Sequence, residues 1–255
     1  MISADLKGKT ALVTGGASGV GLATIELLAK CGATVAMNHR ASNKTAAAEI
    51  ERLTALGYRI IAAPGDIGSA SEAERMVEKA VDGLGRLDIL VNNAGTPGSL
   101  AKGKRIDYRD LGAITEDWWT EVVSTNVVGA FRCIKAATPA LKAAGGAVVN
   151  VASVAGLGPV GSNMAYGTSK AGLIQLTSYL SRALAPEVRV NAVAPGFIAT
   201  PWTEGWPDEV KQGAIARTPL KRACTAQDIA EAILFLGAGA AMVTGQTLVV
   251  DGGLL

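Results

Sequence analysis

The chain has 255 residues, is 49% hydrophobic and carries a formal net charge of +2. That size and apolar share suit one large α/β domain better than two small ones, and the balanced charge lacks the basic stripe of a nucleic-acid binder. The longest uncharged apolar run, Ala232–Val243, is far shorter than the roughly 20 residues of a bilayer span, so no membrane association is expected.

In chain order, the residues Met1 to Lys9 lack the apolar core of a secretion signal. Apolar, β-rich runs then alternate with segments of helical period. Thr10–Thr14, Thr34–Met37, Arg59–Ala63, Leu87–Val91, Ala147–Val151, Val188–Val193 and Thr247–Val250 read as seven buried strands. Val20–Lys30, Lys44–Leu56, Ser71–Val81, Glu116–Ala143 and Ala165–Leu184 read as helices between them. Strands apolar on both faces, joined by crossover helices, predict a parallel sheet covered on both sides. The expected architecture is a single-domain, doubly wound Rossmann-type α/β fold over residues 1–255, with ligands at the carboxyl ends of its strands.

Several chemistries are poorly provided for. His39 is the only histidine, so a Ser-His-Asp hydrolase would have to use it, and no Gly-x-Ser-x-Gly elbow supplies the serine. No Cys/His cluster has zinc-ligand spacing, and no metal is expected. Cys31, Cys133 and Cys224 are widely spaced and read as small buried hydrophobes of a reducing compartment. Cytoplasm is the expected location.

The first strand ends at Thr14-Gly-Gly-Ala-Ser-Gly-Val-Gly21, with a helix opening near Val20. Exposed N–H groups at such a helix start favour a phosphate. The spacing is not GxGxxG, and an ordinary glycine-rich βα turn remains open on this motif alone. Further on, Tyr166 and Lys170 are four apart, on one face of a predicted helix. A free phenol has a pKa near 10, which puts ionisation at neutral pH about 4 kcal/mol uphill. An ammonium about 4 Å from the phenolate supplies about that much at an effective dielectric near 20. The pair can therefore serve general acid–base chemistry, or be an incidental surface pair.

Ser153 follows the fifth strand, and the connection to Asn163 contains Gly156, Gly158, Pro159 and Gly161. It could fold the hydroxyl back over the helix start to polarise a carbonyl, or simply cap a turn. Asn126 falls within the apolar stripe Trp119, Val122, Val123, Val127, Phe131 and Ile134, where an unbonded amide is costly. It could hold a water, brace Lys170 or satisfy itself on its own helix.

With these residues assembled, the chain resembles the short-chain dehydrogenase/reductase family from about Leu6 to Gly253. The motifs are Thr14–Gly21, Asn92-Asn93-Ala94-Gly95, Asn126, Ser153, Tyr166-x3-Lys170 and Pro195-Gly196 with Thr200. The resemblance implies that Tyr166 donates or accepts the proton and that Ser153 orients the substrate oxygen. Lys170 would bind the nicotinamide ribose and lower the Tyr166 pKa, and Asn126 would position a water in a proton relay. Gly15, Ser18, Gly19, Val20 and Gly21 would surround the pyrophosphate and adenosine. Asn93, Ala94 and Gly95 would lie at the adenosine ribose region, and Asp66 with Ile67 beside the adenine; Asp66 could instead be a turn residue. Pro195, Gly196 and Thr200 would close over the nicotinamide, with Thr200 also able to cap a helix starting at Pro201. A homotetramer with the helices Glu116–Ala143 and Ala165–Leu184 at one interface is also implied.

Cofactor choice rests on Asn38, His39 and Arg40, which end the second strand. An acid about 20 residues after the glycines normally binds the ribose 2′-hydroxyl of NAD. No carboxylate occurs between Glu26 and Glu49, and Arg40 suits a 2′-phosphate. NADP(H) is the expected cofactor, with NAD(H) also usable should Arg40 only face solvent. The segment Thr200–Arg217, with Trp202 and Trp206, resembles the family's substrate lid. A longer loop follows Asn93 and includes Thr96–Leu100 and the charged stretch Lys102–Asp110. Trp118, Trp119, Trp202 and Trp206 could serve the substrate or plain packing. The expected activity is interconversion of a small-molecule carbonyl and a secondary alcohol. A 3-oxoacyl-thioester reductase and a sugar or polyol dehydrogenase are alternatives within the family, and a non-catalytic nicotinamide sensor is one outside it.

Overall fold

The computed structural model describes residues 3–99, 106, 110–160 and 163–255. Leu100, Gly161 and most of the charged stretch 102–110 lie outside them. Seven parallel strands form one sheet in the order β3-β2-β1-β4-β5-β6-β7: β1 (Thr10–Val13), β2 (Thr34–His39), β3 (Ile60–Pro64), β4 (Ile89–Asn92), β5 (Ala147–Val151), β6 (Arg189–Pro195) and β7 (Thr247–Val250). The helices are α1 (Gly19–Lys30), α2 (Ala46–Ala55), α3 (Ala70–Leu84), α4 (Glu116–Val123), α5 (Ala130–Ala144), α6 (Met164–Ala183), α7 (Asp208–Arg217) and α8 (Ala226–Ala238).

The period of two in each strand builds two apolar layers. Val13, Met37, Val91, Val149 and Val193 face Ile25 and Leu28 of α1 and Ile229 and Ile233 of α8. Leu12, Leu90, Val148 and Val190 face Met76 and Val77 of α3 and Cys133, Ile134 and Leu141 of α5. Each such fully buried Leu, Ile or Val contributes about 1.5–3 kcal/mol. Both faces are buried in β1, β2, β4, β5 and β6, as predicted, but β3 and β7 are partly exposed because they are the sheet edges. Cys133 and Cys224 are buried, whereas Cys31 is only partly so.

Two helical expectations need revision. The segment predicted as one helix from Glu116 to Ala143 is α4 and α5 joined by a π-helical turn, Ser124–Gly129. The buried residues of this segment are Trp118, Val122, Asn126, Gly129, Ala130, Cys133, Ile134, Ala137 and Leu141, and Phe131 is exposed rather than in the core. Helix α8, unassigned from the apolar run Ala232–Val243, starts at a capping box. The Thr225 hydroxyl accepts the Asp228 N–H while the Asp228 carboxylate accepts the Thr225 N–H.

Strand order reverses between β1 and β4, each of which has its other neighbour on the opposite side. The crevice at the carboxyl ends of the central strands is where such sheets bind ligands. The glycine loop, Asn93, Ser153 and Pro195 all emerge there, from β1, β4, β5 and β6.

Candidate active site

The glycine loop is held open for a ligand by close backbone packing. Gly15 has φ +63°, and a Cβ there would lie 2.9 Å from Ala94 Cα. At Gly21 a Cβ would collide with the Gly15 carbonyl oxygen and lie 2.6 Å from Asn93 Nδ2. Ser18 is the exposed N-cap residue of α1, and its side chain makes no capping bond. The first N–H groups of α1 thus face the crevice with Val20 buried behind them, a fit for a nucleotide phosphate.

Two residues expected at the cofactor, Asn38 and Asn93, brace this loop. Asn38 is buried; its Oδ1 accepts the Gly15 N–H at 3.2 Å and its Nδ2 donates to Ala63 and Gly65 carbonyls at 2.9 and 3.0 Å. Asn93 Nδ2 donates to the Thr14 and Gly15 carbonyls at 2.9 and 3.1 Å. The Thr14 hydroxyl, overlooked as a site residue, accepts the N–H groups of both Asn93 and Ala94 at 3.0 Å. These amide and hydroxyl groups bond the scaffold, which fixes the loop shape.

Beyond β2, His39 Nδ1 contacts the Arg40 carbonyl, and Arg40 is exposed with its guanidinium unengaged among the described residues. Asp66 accepts the Gly68 N–H at 2.8 Å, a turn contact, and Ile67 is buried against α5. Gly95 lies beside Asn126 and Lys170: a Cβ there would be 3.2 Å from Asn126 Oδ1 and 3.5 Å from Lys170 Nζ.

The reactive set gathers around the start of α6. Asn163 caps that helix by accepting the Tyr166 N–H at 2.8 Å, and its Nδ2 holds the Pro97 carbonyl. The same carbonyl receives the indole N–H of buried Trp118. Ser153 follows β5, caps a 3-10 turn through the Ala155 N–H at 3.2 Å, and places its hydroxyl where it favours the ionised Tyr166 phenol. A Cβ on Gly156 would strike the Lys170 backbone, so the predicted fold-back of this loop over α6 depends on that glycine.

Lys170 is 3% exposed and its Nζ donates to the Val151 carbonyl at 2.6 Å. Burial pulls its pKa down to about 8. Burial pushes the Tyr166 phenol up to about 12, partly offset by the Ser153 hydroxyl. The expected lowering of the Tyr166 pKa by Lys170 is thus not what this geometry gives. The ammonium sits 5.5 Å from the phenol ring centroid and spends itself on a carbonyl, so desolvation dominates. Tyr166 is held protonated.

Asn126 is 1% exposed, inside the π-helical turn. Its Oδ1 accepts the Thr96 N–H at 2.8 Å, and its Nδ2 donates to the Thr96 carbonyl and to Ser169 Oγ, at 3.0 and 2.9 Å. The side chain neither braces Lys170 directly nor satisfies itself on its own helix; it clamps the loop after β4 to α6. π-turns of this kind recur at functional sites.

Across the crevice, Pro195 is buried at the end of β6 and Gly196 packs against Asp251. Thr200 approaches the glycine loop: its Cβ would lie 3.7 Å from a Cβ on Gly19. No helix begins at Pro201. Residues 201–206 form turns, and α7 starts only after Pro207. The Thr203 hydroxyl ties this segment together through the Ile198 and Thr200 carbonyls. Trp206 stacks on Phe197, and Trp202 lies 5.9 Å from the Tyr166 ring, tilted by 59°. Among the described residues, no His/Cys/Asp/Glu group could hold a metal, and no helix is long and apolar enough to cross a membrane.

A family model described as enoyl-(acyl carrier protein) reductase matches residues 15–255. A Streptomyces violaceoruber protein, provisionally named ketoacyl reductase 2 of the granaticin polyketide synthase, is 40% identical over 250 residues, 95% of this chain and 94% of that protein. The 3-oxoacyl-(acyl-carrier-protein) reductase FabG of Staphylococcus aureus is 38% identical over 251 residues, 96% of this chain and 98% of that protein. A crystal structure of a short chain dehydrogenase from Burkholderia cenocepacia, in complex with NADP, matches with a TM-score of 0.87 at 32% identity, covering 98% of this chain and 99% of the other. A glycine cradle, a Ser-Tyr-Lys constellation on one sheet crevice and near full-length relatives agree: the chain belongs to the short-chain dehydrogenase/reductase family of oxidoreductases.

Proposed function

We propose that the protein is an NADP(H)-dependent carbonyl reductase, also able to run as a secondary-alcohol dehydrogenase, with Tyr166 as general acid and base. The observation that carries this reading is the meeting of Ser153, Tyr166 and Lys170 beside the glycine cradle at the carboxyl ends of β1, β4 and β5. When bound, the nicotinamide supplies or accepts the hydride. Tyr166, protonated by its desolvated setting, gives its proton to the carbonyl oxygen, and the Ser153 hydroxyl holds that oxygen in place. Lys170 holds the ribose hydroxyls, and Asn126 keeps the loop after β4 seated against α6. Gly15, Ser18, Gly19, Val20 and Gly21 receive the phosphates, with Asp66, Ile67, Ala94 and Gly95 lining the adenosine side and Pro195, Gly196 and Thr200 the nicotinamide side. Arg40, unengaged and without an acid nearby in sequence, supports NADP(H) over NAD(H).

The names of the relatives favour a 3-oxoacyl thioester as a second reading of the substrate. We read residues 1–255 as one cytoplasmic domain with a lid around 200–217. Val128, Phe131 and Tyr179, exposed on the π-turn, α5 and α6, support a homotetramer packed through those helices. Light scattering giving a monomer mass would remove that part.

The deciding experiment compares wild type with Tyr166→Phe by NADPH absorbance, using ketones and acyl thioesters. Turnover should fall by about 10²–10⁴ while NADPH affinity is retained. Undiminished turnover would remove Tyr166 as the proton donor, and NADPH binding without turnover in wild type would leave a cofactor-binding protein.

A further inference from the structure

Trp202 is the one aromatic side chain of the 200–206 turn to reach the reactive set. Its ring centroid is 5.9 Å from that of Tyr166, yet it remains 43% exposed. The turn is anchored at several points: Thr203 bonds Ile198 and Thr200, Trp206 stacks on Phe197, and Thr200 lies against Gly19. Trp202 is therefore held beside the phenol with part of its indole exposed. Leu157 ends the turn that carries Ser153 and is 45% exposed. Met164 opens the helix that carries Tyr166 and is 39% exposed. Exposed apolar side chains on the elements that carry the polar pair, with Trp202 against Tyr166, suit a small-molecule pocket. Farther along the lid, Glu204, Asp208 and Glu209 are exposed, and among the described residues Lys211 pairs with Asp208 at 3.5 Å. These carboxylates disfavour a phosphate-bearing carrier at this end of the lid and tolerate a neutral molecule.

Resting on the reductase reading above, we infer that Trp202 is a specificity-determining residue whose indole packs on a planar apolar substituent of the reacting carbonyl. The preferred substrate class is then a small neutral aryl or conjugated ketone. A flat ring carried on the carbonyl carbon lies against the indole in a tilted or offset arrangement, as Tyr166 already does. Its oxygen then points to Ser153 and Tyr166.

The test measures kcat and KM for acetophenone, 2-butanone and acetoacetyl-coenzyme A in wild type, Trp202→Ala and Trp202→Phe, with NADPH binding followed in each variant as a folding control. Wild type should prefer acetophenone, and Trp202→Ala should reduce the acetophenone to 2-butanone ratio of kcat/KM by about 10-fold or more, mostly through KM. Trp202→Phe, which keeps a flat face, should recover most of that ratio. An unchanged ratio in Trp202→Ala, or failure of Trp202→Phe to recover it, would overturn the inference. Wild type that reduces the thioester but not acetophenone would overturn it too, leaving the reductase reading intact. NADPH binding without turnover of any of the three would overturn both.

Discussion

Replacing Lys170 by methionine should make the protein respond less steeply to pH, and the structure gives the size of the effect. Burial lowers the Lys170 pKa from 10.5 to about 8, with one carbonyl, of Val151, accepting its proton and no carboxylate partner among the described residues. The folded protein then binds fewer protons than the unfolded chain between these values, so stability rises with pH there. The cost is fully present below about 8 and gone above about 10.5; by linkage it amounts to about 3 kcal/mol at neutral pH. Between about pH 6.5 and 9.5, wild type should gain about 2 kcal/mol relative to Lys170→Met. The Val151 carbonyl, left without its donor in the variant, costs about 1–3 kcal/mol at every pH and cancels from the difference. Urea denaturation followed by tryptophan fluorescence at the two pH values, at one protein concentration, measures it. Parallel pH profiles for wild type and variant would refute the reasoning.

Further outcomes follow from other sites. Arg40→Ala should raise KM for NADPH by about 10-fold or more, since a charge-assisted bond is worth about 1.5–3 kcal/mol, and leave KM for NADH little changed; equal values for both cofactors in wild type, unaltered by the substitution, would defeat the NADP(H) assignment. Asp88 lies beneath the sheet, where burial raises its pKa but bonds from Arg86, Lys9 and the Thr10 N–H outweigh it and hold the carboxyl below its ordinary value. A depressed carboxylate stabilises above its unfolded pKa and loses that contribution as pH falls through the folded one. Asp88→Asn should therefore cost about 1–2 kcal/mol at pH 7, given the half-exposed Lys9 and Arg86, and clearly less near pH 3, as urea melts at both pH values will tell.

The sheet was legible because its strands are apolar on alternate and then on both faces, and because Gly or polar residues close each run. The edges were less so, since Ile60–Pro64 and Thr247–Val250 look as apolar as the central strands while having a neighbour on one side only. The site residues could be placed at strand ends from their spacing, but spacing does not say where an amide points. Asn38 and Asn93 illustrate this: their positions border the crevice, and their side chains turn into the scaffold. The π-turn left no mark in the apolar period, and the bonds Asn126 makes from it reach Thr96, 30 residues away in sequence. Helix α8 did carry a signal, Thr225-x-x-Asp228, ahead of its apolar run. The Tyr166–Lys170 spacing correctly put both groups on one helical face. It could not tell that the ammonium would be drawn to Val151, leaving desolvation to set the phenol.

The amides of Asn38 and Asn93, with the Thr14 hydroxyl, give the glycine loop its shape from within the protein. Much of the entropy lost in freezing that loop is therefore spent during folding, and an arriving nucleotide has little left to order there. Association at this end should proceed as docking onto a ready template, with any slow rearrangement confined to the side where Trp202 rests.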